Sequence, residues 1–433
     1  MKKIKISLII SLSITCVALV AILALLLKDN FYGEEATTVL SEKNNSISDT
    51  IISEPVAEPI PEDTEIRLLA VGDNLLHMGV HLTGQMEDGT YDYSFLFDTI
   101  KPYLEDADIK IINQETIFGG NEIGQNGYAG YPSFNSRTEV GDAIVEAGFN
   151  VVLQSTNHTA GQGLNGILHC ASFWAENYPD MLICGMRGEP DTNPPIQTME
   201  VEGVTFAFLN YTYGPNMESF PSRYEGYMDI LCAYDESTRM IDFTTLNPRV
   251  VEDIEEAEEI ADVVVVCPHW GTEYNTTQSS YQEEFAKQMT EAGADLIIGT
   301  HPHVVQPVSY VESDNGNRSL CYYSLGNYVS TQKQVECMLE GMAIVTFTKH
   351  PDGSVTINEE ETGVIPMVCQ YTQGSVRIDN IYFLEDYTED LALQHGMYTY
   401  AGIPFHASDM VELSEEVFGD WAMKPYLEVI SLE

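Results

Sequence analysis

Short apolar runs alternate with amphipathic stretches along most of this chain. The runs at 66–71, 109–112, 150–153, 205–209, 263–267, 296–298 and 321–323 are rich in Val, Ile and Leu and predict strands. Helices fit between them at 94–104, 139–147, 164–176, 251–260 and 278–292. Further strands are expected at 342–348 and 355–358, around the turn His350-Pro351-Asp352-Gly353, and an acidic helical segment from about Asp386. Repeated strand–helix alternation implies an α/β core in which helices cover the sheets.

The longest apolar run has a different character. Lys2, Lys3 and Lys5 precede an uncharged stretch from 6 to 27, broken only by Ser, Thr and Cys16. As a helix it is long enough to cross a hydrocarbon core of ~30 Å. The lysines before it and Glu34-Glu35 after it place the N-terminus inside and the bulk of the chain outside. A cleaved signal peptide is the alternative, although its apolar region runs only about 7–15 residues and no clean A-x-A site follows here. The next segment is rich in Ser, Thr, Glu and Pro and reads as a flexible acidic stalk. The expected organisation is an N-terminal transmembrane anchor at 1–28, the stalk at 29–64, a main domain at 65–340, and C-terminal strands with a helical accessory segment at 341–433.

Composition narrows the function. The 433 residues carry 19 Lys+Arg against 67 Asp+Glu, a net charge of 19 − 67 = −48. That excludes nucleic acid as the main partner, because phosphate binding relies on Lys and Arg. It also disfavours adsorption on an anionic lipid surface. Hydrophobic residues make up 44% of the chain, enough to bury a sizeable core. None of the eight cysteines forms a CxxC pair, and Cys267 and Cys321 sit in strand-like runs that suit buried thiols.

The polar residues just past the strands carry the chemistry. One strand runs into Gly72-Asp73-Asn74-Leu75-Leu76-His77, and the next into Asn113-Gln114-Glu115-Thr116. Others lead to Ser155-Thr156-Asn157-His158, to Pro268-His269-Trp270-Gly271-Thr272-Glu273-Tyr274, and to Gly299-Thr300-His301-Pro302-His303. Ligands in α/β folds gather outside the carboxyl ends of strands, so five such ends can meet at one site. Each motif alone has a plain reading. Gly-Asp after a strand is commonly a turn, Glu115 a solvated loop acid, and Asn157 a cap for the following helix. Together, imidazoles, carboxylates and an amide oxygen suit Mn, Fe or Zn, and the lack of thiolates disfavours a structural zinc site. Two such ions ~3.5–4 Å apart activate water and stabilise charge on a phosphoryl or carbonyl oxygen.

At these residues the sequence resembles the CapA family of poly-γ-glutamate capsule biosynthesis proteins, within the calcineurin-like metallophosphatase superfamily. The ordered motifs named above carry the resemblance from about Arg67 to Gln332, together with Tyr323-Ser324-Leu325-Gly326-Asn327-Tyr328-Val329. The resemblance implies a four-layer double β-sandwich flanked by helices, with two divalent metal ions (Mn, Fe or Zn) at the strand ends. It assigns Asp73 and His303 to the first metal with His77 as companion, and Asn157, His269 and His301 to the second. Glu115 takes the bridging position, His158 that of the general acid, and Asn327 a position lining the site.

Two departures bear on this assignment. No His stands two residues after Asp73, and Gly161 occupies a position where the family commonly has an Asp that supports the catalytic His. The implied role is a membrane-anchored, extracytoplasmic hydrolase in synthesis or export of poly-γ-glutamate or a related surface polymer. Its partners would be the cytoplasmic membrane and polyglutamate synthase or export subunits, and its substrate an anionic polymer or a phosphoester. The alternative is a non-catalytic assembly or export subunit that uses the same cleft for binding.

Overall fold

The run Ile66, Leu68, Leu69, Ala70 and Val71 is at most 1% exposed, because the strand that contains it is covered on both faces. In the computed structural model, which describes residues 62–121, 127–372 and 377–427, this strand is β1 (Thr64–Asn74) and stands near the middle of a nine-stranded mixed sheet. The order is β17 (Arg377–Phe383), β16 (Gly363–Thr372), β14 (Leu339–Lys349), β1, β2 (Ile109–Asn113), β3 (Val151–Leu153) and β4 (Leu182–Cys184). Two short strands join off this path: β13 (Asn327–Val329) pairs with β1, and β15 (Val355–Ile357) with β14.

A second, six-stranded sheet runs β11 (Val305–Glu312), β12 (Arg318–Leu325), β10 (Leu296–Ile298), β9 (Val263–His269), β6 (Val204–Thr212) and β5 (Gln197–Val201). A separate hairpin pairs β7 (Cys232–Tyr234) with β8 (Ile241–Leu246). The two large sheets touch through β12 against β1 and β14. Tyr322 on β12 ties them together, its hydroxyl donating to the carbonyls of Ile344 at 3.4 Å and Gly363 at 3.2 Å.

Every strand expected between residues 66 and 323 is present, and the class is mixed α/β as expected. Among the described residues the α-helices longer than four residues are α1 (Met78–Thr83), α2 (Lys101–Asp106), α3 (Thr138–Ala147), α4 (Gly163–Asn177), α5 (Pro248–Glu258), α6 (Ser280–Ala292) and α7 (Ala407–Phe418). The single helix expected at 94–104 is two: a 3-10 segment Ser94–Ile100, then α2 with Pro102 in its first turn. Pro102 has no N–H to continue a helical ladder from behind, but it fits the first turn of a new helix. Helix α6 starts on a capping box, Ser279 and Gln282 each bonding the other's backbone, and ends on left-handed Gly293. Helices α5 and α6 pack on the six-stranded sheet.

The expected anchor at 1–28, and the stalk up to residue 61, lie outside the described residues. Among the described residues no helix is long and apolar enough to cross a membrane. The segment expected as accessory beyond residue 340 supplies most of β14, which runs antiparallel to β1 from Thr64 opposite Lys349 to Val71 opposite Met342. It also supplies β16 and β17, so the sheet behind the strand-end motifs is completed from the C-terminal side. All seven described cysteines are buried free thiols.

Candidate metal centre

Strand geometry brings the polar ends together. Asp73 lies opposite Asn113 of β2 on one side and Asn327 of β13 on the other, both in parallel register. The close approach of β13 needs a glycine before Asp73, since a Cβ on Gly72 would lie 2.0 Å from the carbonyl oxygen of Gly326. Glu115 follows β2, Asn157 and His158 follow β3, His269 ends β9, and His301 and His303 follow β10. In that last loop both histidines adopt left-handed backbone, φ 98° at His301 and 61° at His303. Non-glycine residues rarely do so, and such strain concentrates at functional sites.

The carboxylate of Asp73 is fully held. It accepts from Asn113 Nδ2 at 2.8 Å and from the backbone N–H of His301 at 3.2 Å, and His303 Nδ1 lies 3.0 Å from its Oδ2. Glu115 is equally buried, yet neither of its oxygens has a hydrogen-bond partner among the described residues. Around it stand His158 Nε2 at 3.8 Å, His269 Nε2 at 3.9 Å and His303 Nδ1 at 3.7 Å. His269 is oriented by Thr300 Oγ1, 2.9 Å from its Nδ1, and its Nε2 lies 3.1 Å from Asn157 Oδ1.

Burial dominates the electrostatics. It raises the proton affinity of Glu115 well above the carboxylate range, and the charge of Asp73 adds to this. Burial and neighbouring imidazoles push His269 and His301 well below the usual histidine value. Burial, then His303 and His77, lowers His158 to about 3. At His303 burial also acts downward, but Glu115 and Asp73 more than reverse it and hold that ring at about 9.

These donors suit divalent cations. Three overlapping groups place their ligand atoms within 4.8 Å of one another: Asp73, Glu115 and His303; Glu115, His269 and His301; and Glu273, His301 and His303. The unpartnered atoms are the ones a cation needs, namely both oxygens of Glu115 and Nδ1 of His301. A buried carboxylate left without any hydrogen bond is costly unless a positive charge faces it. The set is oxygen and imidazole nitrogen with no thiolate, which suits Mn, Fe or Zn.

Residues 67–332 match the family described as bacterial capsule synthesis protein PGA_cap. The chain belongs to this family. It is 29% identical over 278 residues to the capsule biosynthesis protein CapA of Bacillus anthracis, covering 63% of this chain and 61% of that one. It is 30% identical over 190 residues to the PGA biosynthesis protein CapA of Bacillus subtilis (strain 168), covering 44% of each. The matched stretch therefore spans less than two thirds of either relative. Among solved structures, the NAD nucleotidase NadN of Haemophilus influenzae is a distant likeness, with TM-score 0.42 and 11% identity over 85% of this chain and 65% of that chain.

The family match contains every residue singled out from the motifs, from Asp73 to Asn327. Asp73, Glu115, Asn157, His158, His269, His301 and His303 come together in the fold. Asn327 stands beside them with its Oδ1 3.2 Å from His303 Nδ1 and its Nδ2 donating to the His303 carbonyl at 3.1 Å. His77 belongs to none of the three metal-competent groups; its buried Nδ1 has no partner and its ring meets the edge of Phe134 at 5.2 Å. Glu273 stands within a motif but carries no role in the sequence, because an acid in a polar loop looks like any solvated carboxylate. Asn113 and Thr300 likewise stand in motifs without a role. Asn113 did leave a trace, as a polar residue closing an apolar strand.

Proposed function

We propose that this chain is a membrane-anchored, extracytoplasmic, metal-dependent hydrolase of the metallophosphoesterase kind, in a double β-sandwich, working in synthesis or export of poly-γ-glutamate or a related surface polymer. One observation carries this reading: Glu115, fully buried and without a hydrogen bond, lies among Asp73, His269, His301 and His303. Asp73 and His303 would hold one cation, Asn157, His269 and His301 a second, and Glu115 would be shared. Divalent cations in such a site activate water and stabilise charge on a phosphoryl oxygen.

The rest is done by the chain. Asn113 and the His301 N–H fix the carboxylate of Asp73. Thr300 sets which ring nitrogen of His269 faces the site, and Asn327 holds the His303 ring and backbone. His158, packed edge-on to Phe134 at 4.7 Å, reaches the site as a neutral imidazole, since its pKa is lowered to about 3. It therefore offers an N–H that hydrogen-bonds the departing oxygen. Metal analysis of the purified full chain beside His301→Ala and His303→Ala tests the centre, with about two Mn, Fe or Zn ions expected in wild type and fewer in each variant. Mn-dependent turnover of an aryl phosphate tests the activity. Wild-type protein that stays metal-free after incubation with Mn, Fe and Zn would sink the reading.

A second reading, an assembly or export subunit that binds through the same cleft, is favoured by one feature. Gly161 faces His158 with only its backbone N–H, donating to the His158 carbonyl at 2.9 Å, and has no carboxyl to bring toward the ring. A protein that binds metal but turns over no phosphoester would favour this reading.

A further inference from the structure

A cavity of about 470 Å³ opens beside the metal centre and shares His301 with it. That size is within the range of small-molecule sites, roughly 300–1,000 Å³. Its walls are aromatic: Tyr213, Phe243, Trp270, Tyr281 and Phe285. A file of rings leads into it from the centre, with the Tyr213 ring 4.7 Å from that of His301 and 6.0 Å from that of Phe243. Phe243 is 43% exposed and Tyr281 48% exposed, so apolar ring surface faces open space at this wall.

The cavity's charge is equally one-sided. Among the described residues no lysine or arginine lines it, while Glu273 does, and the same Glu273 has a carboxylate oxygen close to ligand nitrogens of His301 and His303. A chain of γ-linked glutamates carries one carboxylate per residue. Placing such a chain here would bury anions against rings and an acid, with no cation to receive them. Ring faces carry negative charge and ring edges positive, so aromatic walls favour planar neutral groups and cations.

We infer that this aromatic cavity is a substrate subsite, taking a planar, uncharged or cationic group attached to the phosphoryl group held at the metal centre, and that the polyanionic polymer backbone does not enter it. The inference rests on the phosphoesterase reading of the same centre, so its test separates the two. The full chain with Mn is titrated calorimetrically with phenylphosphonate, methylphosphonate, 4-carboxyphenylphosphonate and 4-(aminomethyl)phenylphosphonate, none of which is hydrolysed. Benzamidinium, a planar cation without a phosphoryl group, probes the cavity alone.

Phenylphosphonate is expected to bind about tenfold or more tighter than methylphosphonate, on the order of one to two aromatic contacts. The aminomethyl compound should match or exceed it, and the carboxy compound should fall behind. In Phe243→Ala and Tyr281→Ala, both at exposed positions that tolerate truncation, the phenyl-to-methyl affinity ratio should fall several-fold, and benzamidinium should weaken. Equal affinity for the phenyl and methyl compounds, or tightest binding by the carboxy compound, overturns the subsite while leaving the metal centre standing. Benzamidinium binding that both variants weaken, without Mn-dependent binding of any phosphonate, keeps the cavity as a site for planar cations and overturns the phosphoesterase reading. Binding of no probe overturns both.

Discussion

Nδ1 of His303 lies 3.0 Å from Oδ2 of Asp73, joining a loop of the six-stranded sheet to the central strand of the nine-stranded one. Both side chains are buried, and Glu115 Oε2 approaches the same nitrogen at 3.7 Å. Without cations this cluster holds two carboxyl groups and one ring whose proton affinity is raised to about 9. Glu115 is the member with no hydrogen bond, and its burial favours the protonated form. Glu115→Gln should therefore leave metal-free protein as stable as wild type or more so, while removing a ligand from the centre. Wild type at 100 times its dissociation constant for Mn should gain about 2.7 kcal/mol, seen as a rise in Tm of several degrees. The variant should lose most of that rise. An equal Mn-induced shift in both proteins would take Glu115 out of the metal site.

His158 is placed to act on a leaving group and not on a metal. It belongs to none of the metal-competent groups, and its Nε2 stands 3.8 Å from Glu115. His158→Ala should keep the metal content of wild type and, through loss of the N–H that hydrogen-bonds the departing oxygen, lose about 10²–10³-fold in turnover of a phosphoester with a poorly departing alkoxide. An ester that releases 4-nitrophenolate, which needs little help, should lose much less. Equal losses on both substrates, or loss of metal, would mean that His158 supports the site by packing against Phe134.

Much of this was legible in the sequence because strands buried on both faces show as continuous Val, Ile and Leu, and polar residues closing such runs stand out. For that reason Asp73, Glu115, Asn157, His269 and the His301–His303 pair stand out in the sequence itself. The strands that escaped notice have another character. Strand β17 mixes exposed Asp379 with buried Ile378, Ile381 and Phe383, and β5 reads as half-buried QTMEV. At β16 the apolar run carries Pro366, which argues against a strand interior. Glu273 escaped because its position depends on the turn after β9, where Gly271 and Tyr274 have φ of 91° and 64°. Spacing along a chain does not encode such a turn.

Gly72 tests how tightly the strand frame sets the centre. A methyl group there would meet the Gly326 carbonyl oxygen at 2.0 Å and its carbon at 2.9 Å, both backbone atoms that no rotamer can move aside. Gly72→Ala must part β1 from β13, and it shifts Asp73 away from Asn327 and His303. A destabilisation of about 1–3 kcal/mol is expected from the overpacking, with weakened metal binding in the protein that still folds. Urea unfolding and metal titration check the two effects separately. Full stability with full metal affinity would show that the β1–β13 approach is slack.

Among the described residues, a second buried acid without a hydrogen bond, outside the groups named above, is Glu340. It lies on β14, opposite Met367 of β16, is fully buried, and neither carboxylate oxygen has a geometric hydrogen-bond partner among the described residues. Burial raises its proton affinity well above the carboxylate range, and the thiol of Cys369, a weak donor, offsets only part of this. The folded chain therefore keeps the Glu340 proton at pH values where the unfolded chain has released it, above about 4.3. Its contribution is least unfavourable below that pH, and stability falls as pH rises toward the folded-state value. Glu340→Met keeps the length of the side chain and removes the ionisable group. The variant should be more stable than wild type by about 1–3 kcal/mol at pH 8, with a smaller gain at pH 5, measured by urea unfolding at both. Unfolding midpoints that differ by the same amount at pH 5 and pH 8 would show that Glu340 does not change its protonation on unfolding.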